Sequence, residues 1–366
     1  MGYVRFLLAI GVVLCHCSGI FGWFPLSGNL AVQCFYIISG FYMALILNEK
    51  YAGHHFLFYS NRALKIFPVY WFNLLVLVTW GLFVYLKGYP STFSFYHAIV
   101  SFKVYTLVFF IFSNLFIFGL DLFFFFGITN QGSLFFTKQF YKTDPNVFQF
   151  AFNSIAWTVS TELYFYLLAP FLVRKKLPVI FSIIFCSLIL RIVLARQGMD
   201  DLPWTYMFFP SQLMLFFGGV VSYHIYLKVK CLEIKKLYLD AVFVLFICIL
   251  IFYYTFFEEG YIKQAFLFLI TLLSIPFIFI KFKHDKYDQF FAELSYPIYI
   301  SQAFIIKITQ IKFIPAPLGQ GVNTIILDVL FSILLVKYII DPIEKYRRLR
   351  VKKANAIALA TSNSLA

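Results

Sequence analysis

The sequence predicts an all-α, polytopic bundle of transmembrane helices, with about ten spans and one further apolar segment, 104–127, that enters without crossing. Three observations carry this. Hydrophobic residues make up 62% of the chain and charged ones only 13%, with 51 Phe among 366 positions, more apolar surface than a water-soluble domain buries. The apolar residues gather into runs of helical-span length without strand-like alternation, which selects helices over a barrel. Lys and Arg collect between alternate runs, as the flanks of membrane helices do.

Taken in order, the runs are 4–24, 30–47, 66–86, 104–127, 152–173, 177–195, 205–227, 238–257, 262–280, 292–311 and 322–340. The first has the basic start of a secretory signal but no small-x-small cleavage site, so it reads as a retained anchor. Cys15 lacks the preceding small residue that lipidation wants. Basic clusters at Lys50, Arg62 and Lys65, at Arg174 to Lys176, at Lys228 to Lys236, at Lys281 to Lys286 and from Lys345 to Lys353 assign those segments to the cytoplasm, with both termini inside. Segment 19–29 has no Lys or Arg, and the turns at Asp200 and Asp201 and at Glu258 and Glu259 are acidic, so these face outward. Three runs then separate two cytoplasmic loops, at Arg62 and at Arg174, and an odd number of crossings cannot join one side to itself. Run 104–127, interrupted by Asn114, Gly119 and Asp121, is the one expected to be re-entrant or to lie in the interface.

The formal net charge of +14 sits on loop flanks instead of one face of a module, so nucleic acid is not an expected partner. Six cysteines show no CxxC pair and no disulfide framework. Cys15, His16 and Cys17 project about 100° apart around a helix and cannot converge on one ion, so no metal site is expected. Residues 1–345 read as one membrane domain and 346–366 as a basic cytoplasmic tail, frayed from Asn355.

Arg5 and His16 are eleven positions apart in the first run, three turns plus about 20°, which places both on one helix face about 16 Å apart along the axis. The cation lies at the membrane edge and the imidazole well inside, where ionisable groups are costly and mark a pathway or a site. A helix-helix hydrogen bond is the bland alternative for the histidine. Glu162 also lies within an apolar run and needs a partner: His16, Arg191 and an acceptor hydroxyl are all open, as is a purely structural pair.

Arg5 to His16, the string Cys34-Phe35-Tyr36-Ile37-Ile38-Ser39-Gly40-Phe41, the segment Tyr59-Ser60-Asn61-Arg62-Ala63-Leu64-Lys65-Ile66-Phe67-Pro68-Val69-Tyr70, the segment Trp157-Thr158-Val159-Ser160-Thr161-Glu162-Leu163-Tyr164-Phe165-Tyr166, and Leu294-Ser295-Tyr296-Pro297-Ile298-Tyr299 resemble, in that order, the acyltransferase-3 family of integral membrane O-acyltransferases. The resemblance implies transfer of an acyl group, commonly acetyl, from a cytoplasmic coenzyme A thioester to a hydroxyl of a glycan or lipid-linked saccharide at a bacterial cytoplasmic membrane. It also implies about ten spans, with a re-entrant segment in some members. The family's arginine-ten-histidine motif falls on Arg5 and His16, and its basic-x-x-basic motif on Arg62 and Lys65. Lys65 departs from the usual arginine and exchanges a planar fork for a point charge. Gln302 stands where the family often has histidine.

A thioester is already activated, so the catalyst needs to hold it and take a proton from the attacking hydroxyl, which a neutral imidazole does near pH 7. His16 is thus the expected general base, with an acyl-imidazole as the variant, and Glu162 is grouped with it as catalytic. Arg5, Arg62 and Lys65 are the expected clamp for the phosphates of acyl-CoA, although basic residues at a helix end also serve topology. Ser39 lacks a nucleophile elbow. Ser39, Gly40 and Trp157 are assigned to helix packing or an acyl channel, and Asp121 and Arg191 receive no catalytic role. Acetyl-CoA enters as co-substrate, with no permanently bound cofactor. The reading from another class is a transporter or flippase without covalent chemistry, which paired broken-helix half-repeats would favour. None is apparent.

Overall fold

The computed structural model describes residues 1–17, 19–51, 53–99, 101–256, 260–310 and 318–364. Its helices are α1 (Gly2–His16), α2 (Gly28–Glu49), α3 (His55–Leu86), α4 (Thr92–Ala98), α5 (Val104–Phe116), α6 (Trp157–Leu172), α7 (Leu177–Arg196), α8 (Phe209–Val229), α9 (Lys236–Phe256), α10 (Tyr261–Phe282), α11 (Lys286–Gln310), α12 (Gln320–Leu335) and α13 (Asp341–Ser364). Two three-residue strands, β1 (Phe126–Ile128) and β2 (Leu134–Phe136), form one antiparallel hairpin. The fold is an all-α membrane helix bundle. Seven helical stretches among the described residues are long and apolar enough to cross a membrane; α8 and α11 match them in length, and α1, like α5, is a shorter apolar helix. The acidic turn at Glu258 and Glu259 lies outside the described residues.

The helices sort into an inner and an outer layer. α2 is enclosed along most of its length, whereas α7 and α9 are enclosed along little of theirs and turn Phe181, Phe185, Ile189, Leu237 and Leu245 outward. Side chains of that kind are stable in contact with lipid and not with water. Inside, α2 and α8 run parallel at backbone contact. A Cβ on Gly40 would fall 1.8 Å from Phe216 O, and one on Gly219 would fall 1.9 Å from Ile37 O. Two glycines thereby replace side-chain interdigitation with carbonyl-to-Cα approach, the close packing that small residues permit between membrane helices.

The basic clusters collect at one end. Arg174, just beyond α6, donates to Leu47 O near the end of α2. Lys281 of α10 pairs with Asp240 of α9. The Met1 ammonium sits 2.6 Å from Asp288 of α11, so α1 and α11 start together and run parallel. Arg350 of α13 spreads its guanidinium over Ser60 Oγ and Asn61 Oδ1, each at 2.8 Å. This last contact changes the reading of the C-terminus: the helix is continuous through 345 and lies against the start of α3, so residues 346–354 are docked, and the backbone past Asn355 stays helical to Ser364. The helix carrying Arg62 and Lys65 likewise begins at His55, ahead of the apolar run.

Segment 104–127 forms no spanning helix and turns back on itself, as the re-entrant expectation requires. α5 has only 13 residues, about 20 Å, too short for a hydrocarbon core of about 30 Å. Its last turn lies beside the midpoint of the 32-residue α3, where Tyr70 OH donates to Asn114 O and Trp71 Nε1 donates to Leu115 O at 2.8 Å. The chain turns back through Ile117 and Gly119, both at positive φ. Ser160 Oγ and Tyr164 OH of α6 accept from the Gly119 N–H, each at 3.1 Å, and both donate to Asp121 Oδ1. Every freed polar group at that depth needs such a partner. The remainder, Asp121 to Ala156, forms 3-10 turns and the hairpin as a cap over the end opposite the basic clusters, tied to the α7–α8 turn by Trp204 Nε1 donating to Lys138 O.

Replacing Gly40 by Val forces a branched side chain into a carbonyl of α8, which exceeds the roughly 1–3 kcal/mol of an ordinary overpacked core. The expected outcome is a sharp fall in monodisperse protein after detergent extraction. Gly260→Ala, with nothing within 4 Å of the added carbon, is expected to match the parent in the same chromatographic assay.

Candidate functional site

His16 is the last residue of α1, and Cys17 after it is already extended. The helix ends there because the chain must turn toward Gly28 and α2. Nδ1 of His16 lies 2.8 Å from Val12 O, one turn back. A carbonyl only accepts, so Nδ1 carries the hydrogen, and in the neutral ring the lone pair belongs to Nε2. Among the described residues Nε2 has no hydrogen-bond partner, and the ring is exposed to a cavity of about 410 Å³. The sequence places this imidazole well inside, where it marks a pathway or a site; the structure places it about 22 Å along α1 from the basic end, on the wall of a cavity.

The cavity belongs to the half of the molecule away from the basic clusters. Phe124 and Phe148 come from the cap, Trp157 from the start of α6, Tyr206 from the α7–α8 turn and Tyr299 from α11, so five rings from four parts of the chain line it. Trp157 packs edge-on against Tyr206 at 4.8 Å and Phe124 at 5.8 Å between centroids. Polar groups are few: Asn29, Ser154, Thr158, Lys307 and Gln310 accompany His16 and the two tyrosines. Tyr299 OH and Thr158 Oγ1 are 2.7 Å apart. A mostly apolar concavity with a few convergent polar groups is the usual form of a small-molecule site.

Arg5, Arg62 and Lys65 converge at the other end. Lys65 lies within electrostatic reach of Arg62, Arg5 and Arg347, with Glu344 as the nearby opposite charge. The Arg62 guanidinium rests 5.3 Å from the Tyr166 ring and 5.8 Å from that of Phe58. Three helices, α1, α3 and α13, therefore supply one cationic cluster. Glu344 is engaged by Arg347 and by Arg348 at 3.0 Å, so the acid neutralises part of the cluster and leaves it cationic.

Glu162 joins the two regions. Its Oε1 accepts from Ser39 Oγ at 2.6 Å and from Tyr166 OH. Thr158, Glu162 and Tyr166 are spaced by four along α6 and share a face, with Thr158 in the cavity wall and Tyr166 under Arg62. Neither His16 nor Arg191 is its partner: Arg191 donates to Thr205 O at 2.7 Å. Ser39 is thus a hydrogen-bond donor to Glu162, Gly40 packs on α8, and Trp157 is a cavity wall. Asp121 is taken up by the re-entrant turn. Gln302 is fully buried, with Nε2 donating to Tyr299 O at 2.8 Å.

Sequence reasoning missed Lys307, Tyr166, Arg347 and Arg350. Lys307 stands inside a predicted span and was open to the rule that intramembrane cations mark sites. Tyr166 was visible as the residue four after Glu162. The two arginines carried no signal, because a basic C-terminal segment looks the same whether it is docked or free.

A family model described as an acyltransferase domain matches residues 1–340. Comparisons with curated proteins and with solved structures return no match. With that match spanning nearly the whole bundle, from the helix that carries His16 to the end of the last apolar run, the chain belongs to the acyltransferase-3 family and is an enzyme that transfers acyl groups.

Proposed function

We propose that the protein is an integral membrane O-acyltransferase that moves an acyl group, acetyl by preference, from cytoplasmic acyl-CoA to a hydroxyl of a cell-envelope glycan or lipid-linked saccharide, with His16 as general base. The observation that carries this is the position of His16 on the wall of an aromatic-lined cavity, with Nδ1 held by Val12 O and, among the described residues, no partner on Nε2. By the positive-inside rule the basic end faces the cytoplasm of a bacterial inner membrane, which puts both termini inside and the cavity toward the outer half.

On this reading Arg5, Arg62 and Lys65 hold the phosphates of the donor at the basic end, and its neutral pantetheine arm runs inward so that the thioester reaches His16. The acceptor hydroxyl donates to Nε2, its oxygen attacks the thioester carbonyl, the C–O bond forms as the C–S bond breaks, and coenzyme A leaves as thiolate. The proton taken by Nε2 is passed to that thiolate. Val12 O, already fixed on Nδ1–H, stabilises the imidazolium that forms in between. Holding donor and acceptor together contributes much of the acceleration. Glu162 touches no reacting atom in this scheme: by accepting from Ser39 and Tyr166 it fixes the ring on which Arg62 rests, and so acts as a positioning residue.

His16→Ala is expected to lower transfer from labelled acetyl-CoA by about 10²- to 10⁴-fold, the usual worth of a general base, while the protein remains inserted and binds coenzyme A. Acceptor labelling at the parental rate would remove the assignment. Arg62→Ala with Lys65→Ala is expected to raise KM for acyl-CoA by about tenfold or more, since each charged hydrogen bond to phosphate contributes about 1.5–3 kcal/mol. A donor KM that does not move would leave the two residues with topology alone.

A further inference from the structure

Among the described residues Lys307 is a cation without a counter-ion. It is exposed on the wall of the His16 cavity, no Asp or Glu lines that cavity, and among the described residues Lys307 has no ion pair. α1 and α11 start together at Met1 and Asp288 and run parallel. By their common rise Lys307 lies about 6 Å beyond the level of His16, farther from the basic end. Asn29 and Gln310, two uncharged polar side chains, share the wall with it. An ammonium on so apolar a wall draws in an anion, and none of the described residues that line the cavity supplies one.

We propose that Lys307 seats an anionic group of the acceptor, a carboxylate or a phosphate, so that the cavity selects an acidic saccharide over a neutral one. This rests on the acyl-transfer reading for which molecule is the acceptor. The phosphates of the donor are not the source of that anion: the residues that bind them, Arg5, Arg62 and Lys65, lie at the opposite end of the bundle. Aromatic walls suit the apolar faces of a sugar ring, and Lys307 fixes which way the ring points and hence which hydroxyl meets Nε2. The anion also acts during transfer. When His16 takes the proton, the cavity holds two cations, Lys307 and the imidazolium, and a negative group on the acceptor offsets the added charge.

The test compares methyl glucuronide and glucose 1-phosphate with neutral methyl glucoside, using the full-length protein in detergent. Binding is read without turnover, as protection of the His16→Ala protein from thermal unfolding. Transfer is read as kcat/KM with labelled acetyl-CoA. Protection by one or both anionic sugars and none by the glucoside is expected, together with a kcat/KM preference of about tenfold or more for the acid. Adding Lys307→Met should erase both differences and Lys307→Arg should keep them, with the unliganded melting temperature unchanged. The two anionic probes separate carboxylate from phosphate. Equal losses for acidic and neutral sugars in Lys307→Met would make Lys307 an electrophile for the thioester and overturn the proposal. Equal behaviour of charged and neutral probes in the parent, or a preference that survives Lys307→Met, would overturn it as well. Selective protection without transfer in the parent would leave the anion seat standing and remove the acyl-transfer reading.

Discussion

Hydrocarbon offers a polypeptide no hydrogen-bond partner, and the departure from regular helix between Ile117 and Ala156 is possible because α6 supplies partners in its place. Ser160 and Tyr164 take the Gly119 N–H, Asp121 takes their hydroxyls, and Asn114 bonds to the backbone at Phe150 and Phe152. These contacts fix the re-entrant turn and, through it, the cap. The cap contributes Phe124 and Phe148 to the cavity that His16 faces. A buried carboxylate with no part in the proposed chemistry, Asp121, thereby helps to hold one wall of the cavity in place.

α6 does this with one face and something different with another. Ser160 and Tyr164 turn toward the re-entrant segment, while Thr158, Glu162 and Tyr166 turn toward the interior. Both sets repeat every four residues, so one short helix carries two polar stripes. The inner stripe spans the distance between cavity and cationic cluster, with Glu162 at its centre bonded to the inner helix α2 through Ser39. The position of α2 is in turn set by the backbone contact between Gly40 and α8. The glycine and the serine before it act together: one sets how closely α2 packs on α8, and the other converts that placement into a fixed carboxylate.

Much of this was legible in the letters. The all-helical bundle, the segment that forms no spanning helix and the clustering of positive charge follow from run length, parity and the distribution of Lys and Arg, because lipid imposes a period and a length on every span. The shared face of Arg5 and His16 follows from 100° per residue. The environment of His16 did not, since depth along a helix axis does not say whether a ring meets lipid, protein or a chamber built from distant segments. The partners of Glu162 were hidden for the same reason: Ser39 is 123 positions away. The strands of the cap left no trace, as three-residue pairs are too short to show alternation. The C-terminal helix was misread because its docking depends on Arg350 meeting Asn61 across 289 positions.

The separation of charges explains why the proposed reaction suits a membrane-embedded site. The cationic cluster and the imidazole lie at different depths, about 16 Å apart along α1, and the groups between them on α6 are hydroxyls and one carboxylate already occupied by donors. A donor whose charge is confined to one end and whose reactive group sits at the tip of a long neutral arm satisfies both regions at once, whereas a compact anion satisfies only the first. The same geometry keeps the hydrated phosphates away from the chamber where the oxygen attacks. On the proposed reading donor and acceptor need not share an entrance: one would arrive among Arg5, Arg62 and Lys65, the other between the cap and α11, with His16 where the two routes meet.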